Sequence, residues 1–426
     1  MGILAITGGS PVHTTGWIPW PVCGPEELAQ LAEVLDQVQG LDRLWGGLVP
    51  CPKSTALEEK CAAYHECRYG VAVSNGAAAL ELALYAIGLE LGDEVLTPTM
   101  TWVASATCIL RAGGVPVFVD VEPETYNIDP DLLEAAITPR TKAILPVHLS
   151  GYPAQMDKIM TVAKKHGLSV VEDCAQAHGT DYRGRKVGSF GDVGIFSFQN
   201  SKFMASGEGG LIFTNDQSIW EKCHSYKDCG RLRQGNDYAD YLSAFEEGGW
   251  GFGWNYRLTE FQAAVLLAQM DRLEEHKAIR VRNATWLNER LGQIKGIRPL
   301  PVHPGQNVWR YTFDYDSRAF CGLSLERFIE AMQAEGIPLN HFHPRPVHEE
   351  GLFLGYIRKP AWAPGLINNP RDYGDVQAPV ADQAYREKVV FLKNNVLLGN
   401  NKDMEDIVAA TTKVQQYASE LVSAPQ

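Results

Sequence analysis

The sequence predicts an α/β protein: a large domain on a mainly parallel seven-stranded sheet, followed by a smaller C-terminal α+β domain. Two observations carry this. Seven short apolar runs, suited to strands buried on both faces, alternate with helical patterns through the first half of the chain. After Asn255 the pattern changes to a long capped helix and then to mixed helix and strand signals. With 426 residues, 45% hydrophobic and 21% charged, the chain is long enough for two domains and too apolar for a disordered one.

Taken in order, residues 1–30 set Pro11, Pro19, Pro21 and Pro25 among Trp17 and Trp20. Prolines so spaced prevent long regular structure, so this segment reads as an arm that packs on something. The large domain is expected over 31–265, with strands Gly70 to Ser74, Glu94 to Pro98, Val115 to Val121, Ala143 to Leu149, Ser169 to Glu172, Val193 to Phe198 and Gly210 to Thr214. Thr259 with Gln262 three residues on forms a capping box, and Phe261, Ala264, Val265, Leu267 and Leu273 supply that helix with an apolar face. The helix carries the chain into the small domain, 266–426. There Ser324 caps a helix running through Phe328 and Met332 to Gly336, and a last helix spans about Asp403 to Leu421. No internal repeat or low-complexity segment is visible.

Lys+Arg of 38 against Asp+Glu of 51 gives a formal charge of -13, which repels a phosphate backbone, and the basic stretches Arg183 to Lys186 and Lys277 to Arg282 are short and interrupted. Nucleic acid is excluded as an expected partner. No window holds the roughly 18 apolar residues of a spanning helix and no signal peptide opens the chain, so a cytoplasmic protein with no membrane partner is expected. Cys61 and Cys67, and Cys223 and Cys229, lack zinc-ligand spacing, and the nine cysteines read as reduced, mostly buried thiols with no metal.

The stretch from Ser197 to Gly210 carries a lone lysine, Lys202, just after a strand and ahead of a glycine-rich turn. Burial there would favour the neutral amine, the form that condenses with an aldehyde. A single lysine is most often a solvated surface residue; its company changes the reading. Asp173 ends the strand from Ser169, where parallel sheets meet their ligands, and could hold a pyridine nitrogen protonated or simply cap a helix. Ser74 to Leu80 turns from a strand into a helix, and free N–H groups at Gly76 and Ala77 make an anion site, by itself a weak signal. Trp102 follows another strand end and offers a flat face to a ring or to the core. Phosphate, ring, nitrogen and aldehyde partners in this order match pyridoxal phosphate.

These segments resemble the DegT-type aminotransferases (DegT/StrS), fold-type I pyridoxal-phosphate enzymes that aminate keto-sugars and keto-cyclitols. The resemblance runs from about Ile6 to the C-terminus. It rests on seven motifs in order: Ser74 to Leu80, Pro98 to Ala104, Phe118 to Val121, Glu172 to Gly179, Phe196 to Lys202, Gly207 to Gly210 and Asn255 to Leu258. It implies that Lys202 binds the cofactor covalently and shuttles protons, and that Asp173 pairs with the pyridine nitrogen. It further implies Gln176 on the ring hydroxyl, Trp102 stacked on the ring, and Ser197 with the N–H groups of Gly76 and Ala77 on the phosphate. Asn255 is expected to reach the phosphate of a neighbouring subunit, which makes the working unit a homodimer with shared sites. Two departures stand out: Ala77 replaces the family's usual threonine, removing one hydroxyl from the phosphate site, and Gln199-Asn200 replaces a common His-Pro.

Within that family the opening from Ile6 to Val12, followed by Trp20-Pro21, is most similar to glutamine-dependent scyllo-inosose aminotransferases of aminoglycoside biosynthesis. The resemblance implies transfer of an amino group from L-glutamine or L-glutamate to a keto-cyclitol or keto-sugar through pyridoxamine phosphate. The lysine segment also resembles 3-amino-5-hydroxybenzoate synthase, which would make the protein a dehydratase; a nucleotide-sugar acceptor is the other alternative. A catalytically idle partner subunit would lack the lysine, and Lys202 is present. For the acceptor, His148, Tyr152, His343 and His348 are candidates because they lie in segments that border substrate in the family. Packed or solvated histidines are an equal reading. His341 and His343 alternate as on a strand, so they share one face.

Overall fold

The computed structural model describes residues 3–38, 52–231, 253–342, 345–355 and 372–422. Its central sheet contains β1 (Tyr69–Val73), β2 (Glu94–Pro98), β3 (Val115–Val119), β4 (Thr141–Ile144) and β5 (Ser169–Asp173). After a short hairpin of β6 (Asp181–Tyr182) and β7 (Arg185–Lys186), β8 (Val193–Ser197) and β9 (Gly210–Thr214) complete it. The seven strands lie in the order β1-β9-β8-β5-β4-β2-β3, and within the sheet β9 alone runs against the rest. Six strands running in one direction require crossover connections over the faces, and the strands are accordingly buried on both sides: β2, β8 and β9 have no exposed residue.

All seven expected strands form; two of them end more than one residue early, for identifiable reasons. The run expected to reach Leu149 stops at Ile144 because Pro146 has no N–H for the ladder, although the Asp173 N–H still donates to the Pro146 carbonyl at 2.9 Å. The run expected to reach Val121 stops at Val119, where the Asp120 carboxylate accepts the N–H groups of Val121, Val380 and Ala381 and turns the chain.

The helix Glu260–Asp271 begins at the expected capping box of Thr259 and Gln262. Its buried side differs from the expected face: Ala263, Ala264, Leu266 and Met270 are buried while Phe261 and Val265 are only partly covered. Apolar residues surround this helix on nearly all sides, so periodicity could not single out one face. Leu266, Met270 and Leu273 belong to the large core, whereas Ala284, Leu287 and Leu291 of the next helix, Leu273–Leu291, belong to the second core. The limits expected after residues 30 and 265 thus fall inside the helices Pro25–Val38 and Glu260–Asp271.

The second core underlies a four-stranded sheet ordered β10-β11-β13-β12, with β10 (Ile297–Pro299), β11 (Arg310–Tyr315), β12 (Asn340–His341) and β13 (Val389–Lys393). Ser324 caps the helix Leu325–Ala334 through the Arg327 N–H, as expected. The closing helix breaks at Tyr417 into Asn401–Gln416 and Ala418–Val422, and Asn400 and Asp403 cap it reciprocally. The arm packs on this lobe. Leu4 is buried in its core, and Glu335 accepts the Ala5 and Val12 N–H groups and the Lys413 ammonium. Eight described cysteines are free thiols, of which Cys23, Cys229 and Cys321 are exposed. Among the described residues no helix is long and apolar enough to cross a membrane.

Candidate active site

Strand ends decide where the functional side chains meet. β1 leads into the helix Gly76–Ala86, β5 ends on Asp173, and β8 ends on Ser197 with Lys202 five residues on. All three open into one cavity of about 700 Å³, as the outer ends of strands do in open α/β sheets. It collects Gly76, Ala77, Trp102, Asp173, Gln176, Ser197 and Lys202 from the large domain and Trp309, Arg310, His341 and Tyr385 from the second lobe.

The helix start is built for an anion. Asn75 accepts the Ala78 N–H at 2.8 Å, and the preceding N–H groups of Gly76 and Ala77 have no intrahelical acceptor. Glycine is required here: a Cβ on Gly76 would lie 2.6 Å from the Ser197 Cβ. That approach brings the Ser197 hydroxyl beside the helix N-terminus.

Asp173 is buried, and its carboxylate accepts the Ser105 hydroxyl at 2.8 Å and the Ala175 N–H at 3.0 Å. Burial raises its pKa, and these two hydrogen bonds and the cation of Lys202 only partly offset that, so the carboxylate has room for a further cationic partner. Gln176 is oriented by the Ser150 N–H, which donates to its side-chain oxygen at 2.8 Å. Ser150 itself holds the left-handed region at φ 56°, and the following Gly151 presses on the Asn307 carbonyl, where a Cβ would lie at 1.8 Å. Trp102 is 57% exposed, which settles it as a cavity wall and not core.

Burial, reinforced by the nearby Arg310 guanidinium, pushes the Lys202 pKa down to about 7. Its amine lies 4.0 Å from the centroid of the Trp309 ring. The carbonyl of the preceding Ser201 is held from the second lobe by the Trp309 ring N–H at 2.8 Å and the Asn394 amide at 3.2 Å. The lysine's backbone is thus fixed by both lobes.

Four expected residues stand elsewhere. His148 is buried behind Asp173; its Nδ1 accepts the Ala154 N–H at 3.0 Å, which leaves Nε2 to donate to Glu172 at 3.2 Å. With both nitrogens used it cannot touch a substrate. Tyr152 stacks edge-on against His303, and His348 is buried against Thr99 and Phe118; neither lines the cavity. Asn255 is exposed and outside the cavity of its own chain, bridged to Asp228. His343 lies outside the described residues. The sequence reading missed Ser105, whose spacing of four from Thr101 on the turn before the helix Ala104–Arg111 was a usable signal, since their hydroxyls bond at 2.9 Å. It also missed Trp309, Arg310 and Tyr385, which only tertiary packing brings in.

A helix N-terminus and hydroxyl for a phosphate, a flat indole, a buried carboxylate without a full cationic partner and an amine whose pKa is lowered to about 7 fit pyridoxal phosphate. The class is therefore a pyridoxal-phosphate-dependent aminotransferase of the fold-type I architecture. The chain belongs to the DegT/DnrJ/EryC1/StrS aminotransferase family, whose profile matches residues 30–363. It is 39% identical to an L-glutamine:2-deoxy-scyllo-inosose aminotransferase of Streptoalloteichus tenebrarius, covering 98% of this chain and 99% of the other. It is 36% identical to the enzyme of the same name from Streptomyces fradiae, over 99% of each chain. The crystal structure of 3-amino-5-hydroxybenzoic acid synthase superposes with a TM-score of 0.78 at 29% identity, covering 96% of this chain and 100% of the other.

Proposed function

We propose that this protein transfers the α-amino group of L-glutamine to a keto-cyclitol of the scyllo-inosose type, cycling its cofactor between pyridoxal and pyridoxamine phosphate. The supporting observation in the site is Lys202, a buried amine brought near neutrality and placed in one cavity with Asp173. The full-length similarity to enzymes named for that donor and acceptor supports the substrates.

In this reading the bound cofactor supplies an aldehyde carbon and an electron-accepting ring. Lys202 would hold the cofactor covalently and, once released, would carry a proton from the donor's α-carbon. Asp173, held by Ser105 and Ala175, would keep a proton on the ring nitrogen. Gln176 would meet the ring hydroxyl, Trp102 would cover the ring, and Ser197 with the N–H groups of Gly76 and Ala77 would take the phosphate.

A single-turnover absorbance titration with L-glutamine and no acceptor tests the function. The visible band of the loaded enzyme is expected to give way to near-ultraviolet absorbance, and addition of a keto-cyclitol should restore it. A band that persists with every amino donor would instead favour a dehydratase like the structurally similar synthase.

The dimer belongs to the same proposal. Asn255 is exposed and does not line its own cavity, which supports a role at a neighbour's phosphate. Asn255→Ala is expected to weaken cofactor retention. Mixed with Lys202→Ala, it should recover up to about a quarter of wild-type activity, because a mixed dimer then holds one intact site. Verified mixed dimers without recovery would argue against sharing.

A further inference from the structure

Two groups of metal-ligating side chains come together among the described residues, and they differ in what is left free. His148, Glu172 and Cys174 form the first, around the end of β5. Its donors are already committed: both His148 nitrogens are bonded, and the Glu172 carboxylate accepts the N–H groups of Gly188, Phe190 and Gly191. His348, Glu349 and Asp382 form the second, where a ring nitrogen of the histidine and one oxygen of each acid lie within 4.8 Å of one another. None of these three lines the cofactor cavity. His348 is only 3% exposed, and its Nδ1 is bonded to the Thr99 hydroxyl at 2.5 Å, which leaves Nε2 without a hydrogen-bond partner among the described residues. The Asp382 Oδ1 is buried and also has no partner. Glu349 holds Arg386 in a two-pronged pair at 2.6 and 2.7 Å, with the guanidinium side 53% exposed. No spacing in the sequence signals this set, because Asp382 comes from a later helix, Pro379–Gln383.

Two acids facing one exposed guanidinium leave negative charge for a further cation to offset, and burial and then the neighbouring Glu349 push the Asp382 pKa up. An imidazole nitrogen with two carboxylate oxygens is a zinc-type donor set, whereas calcium and magnesium take shells of oxygen and softer ions take thiolates. We propose that His348 Nε2, Glu349 and Asp382 bind one divalent cation of the zinc class, with water in the fourth position. The contact with Thr99 fits this role: an Nδ1–H donating to the hydroxyl oxygen fixes the tautomer whose Nε2 carries the lone pair. Nitrogen and oxygen ligands of a tetrahedral zinc stand about 3.3 Å apart, so the two acids need close by at most about 1.5 Å. Glu349 exchanges Arg386 for the ion, and an exposed pair of that kind contributes little to resist the exchange. The ion is a brace and takes no part in the chemistry. The Val347 N–H donates to the Thr99 carbonyl at 3.0 Å, in the turn that leads to Trp102, and the helix Pro379–Gln383 runs directly into the segment that carries Tyr385. Metal between them ties the supports of two cavity walls together, whatever reaction the cavity performs.

The test uses untagged, cofactor-loaded enzyme first stripped of metal by a chelator. Calorimetric titration with Zn²⁺ should show one equivalent bound per chain, and Co²⁺ in its place should give weak visible absorbance to the red of the cofactor band. Asp382→Asn and Glu349→Gln each keep the size of the side chain and remove a ligand, so each should weaken Zn²⁺ binding by about 100-fold and abolish the cobalt absorbance. Arg386→Gln should act in the opposite direction and bind Zn²⁺ at least about fivefold more tightly, because Glu349 is freed from its competing cation. A gain of affinity is not a result that damage to the fold produces. Melting curves of the metal-free proteins serve as the control, and Zn²⁺ should raise the melting temperature of wild type and Arg386→Gln but not of the two ligand variants. Wild type that takes up no Zn²⁺ overturns the inference. Binding that survives unchanged in Asp382→Asn and Glu349→Gln belongs to other groups, the cofactor included, and overturns it as well, as does an Arg386→Gln enzyme that binds no more tightly than wild type.

Discussion

Lys202→Ala is expected to lower turnover by about 10⁴-fold or more, because it removes both the covalent hold on the cofactor and the group that moves the proton. The cofactor should be retained only loosely and without the visible absorbance of the loaded wild type. The wild-type comparison has a pH signature with a definite sign. The amine's pKa is lowered to about 7, so in the cofactor-free enzyme it becomes unprotonated as pH rises through that value, and the rate of cofactor uptake should rise between about pH 6 and 8. An unperturbed lysine would show that rise about three units higher. Wild-type turnover in the alanine variant would end the catalytic assignment of Lys202.

Asp173→Asn is expected to cost about 10² to 10³-fold in turnover. The amide preserves the size of the side chain and a contact with Ser105, but it removes the negative charge that holds a proton on the ring nitrogen. Because the carboxylate is buried, the change also relieves a desolvated charge in the empty protein, so the cofactor-free variant should melt no lower than cofactor-free wild type. Stopped-flow measurement of the donor half-reaction, with melting as the control, distinguishes lost chemistry from lost structure. A variant within a few fold of wild type would remove Asp173 from the mechanism.

The large domain was readable because its signals are local. Each buried strand is an apolar run, and these cavity-lining residues sit where such a run ends, so Asp173 and the turn at Gly76 stood out from the residues themselves, and Ser197 through the family resemblance. The lysine needed its neighbours as well, since one lysine after a strand means little. What could not be read was everything that depends on the second lobe. Trp309, Arg310, His341 and Tyr385 come from segments more than 100 residues beyond Lys202, and no local pattern says that they meet it. Histidine misled for a related reason. His148 and His348 were candidates because their segments border substrate in the family, yet a histidine can also satisfy both nitrogens in the core, as His148 does between Ala154 and Glu172.

The Ser201 carbonyl, gripped by Trp309 and Asn394 from the far lobe, makes the peptide before Lys202 a rivet through two plates. Loosening either lobe then releases the same peptide, so the halves lose independence once the cofactor is in place. Ligand that favours only the joined form adds its binding free energy to the joint. Scanning calorimetry should therefore record a single, later melting event for the loaded enzyme, with any separate transition of the second lobe emerging only after the cofactor is stripped.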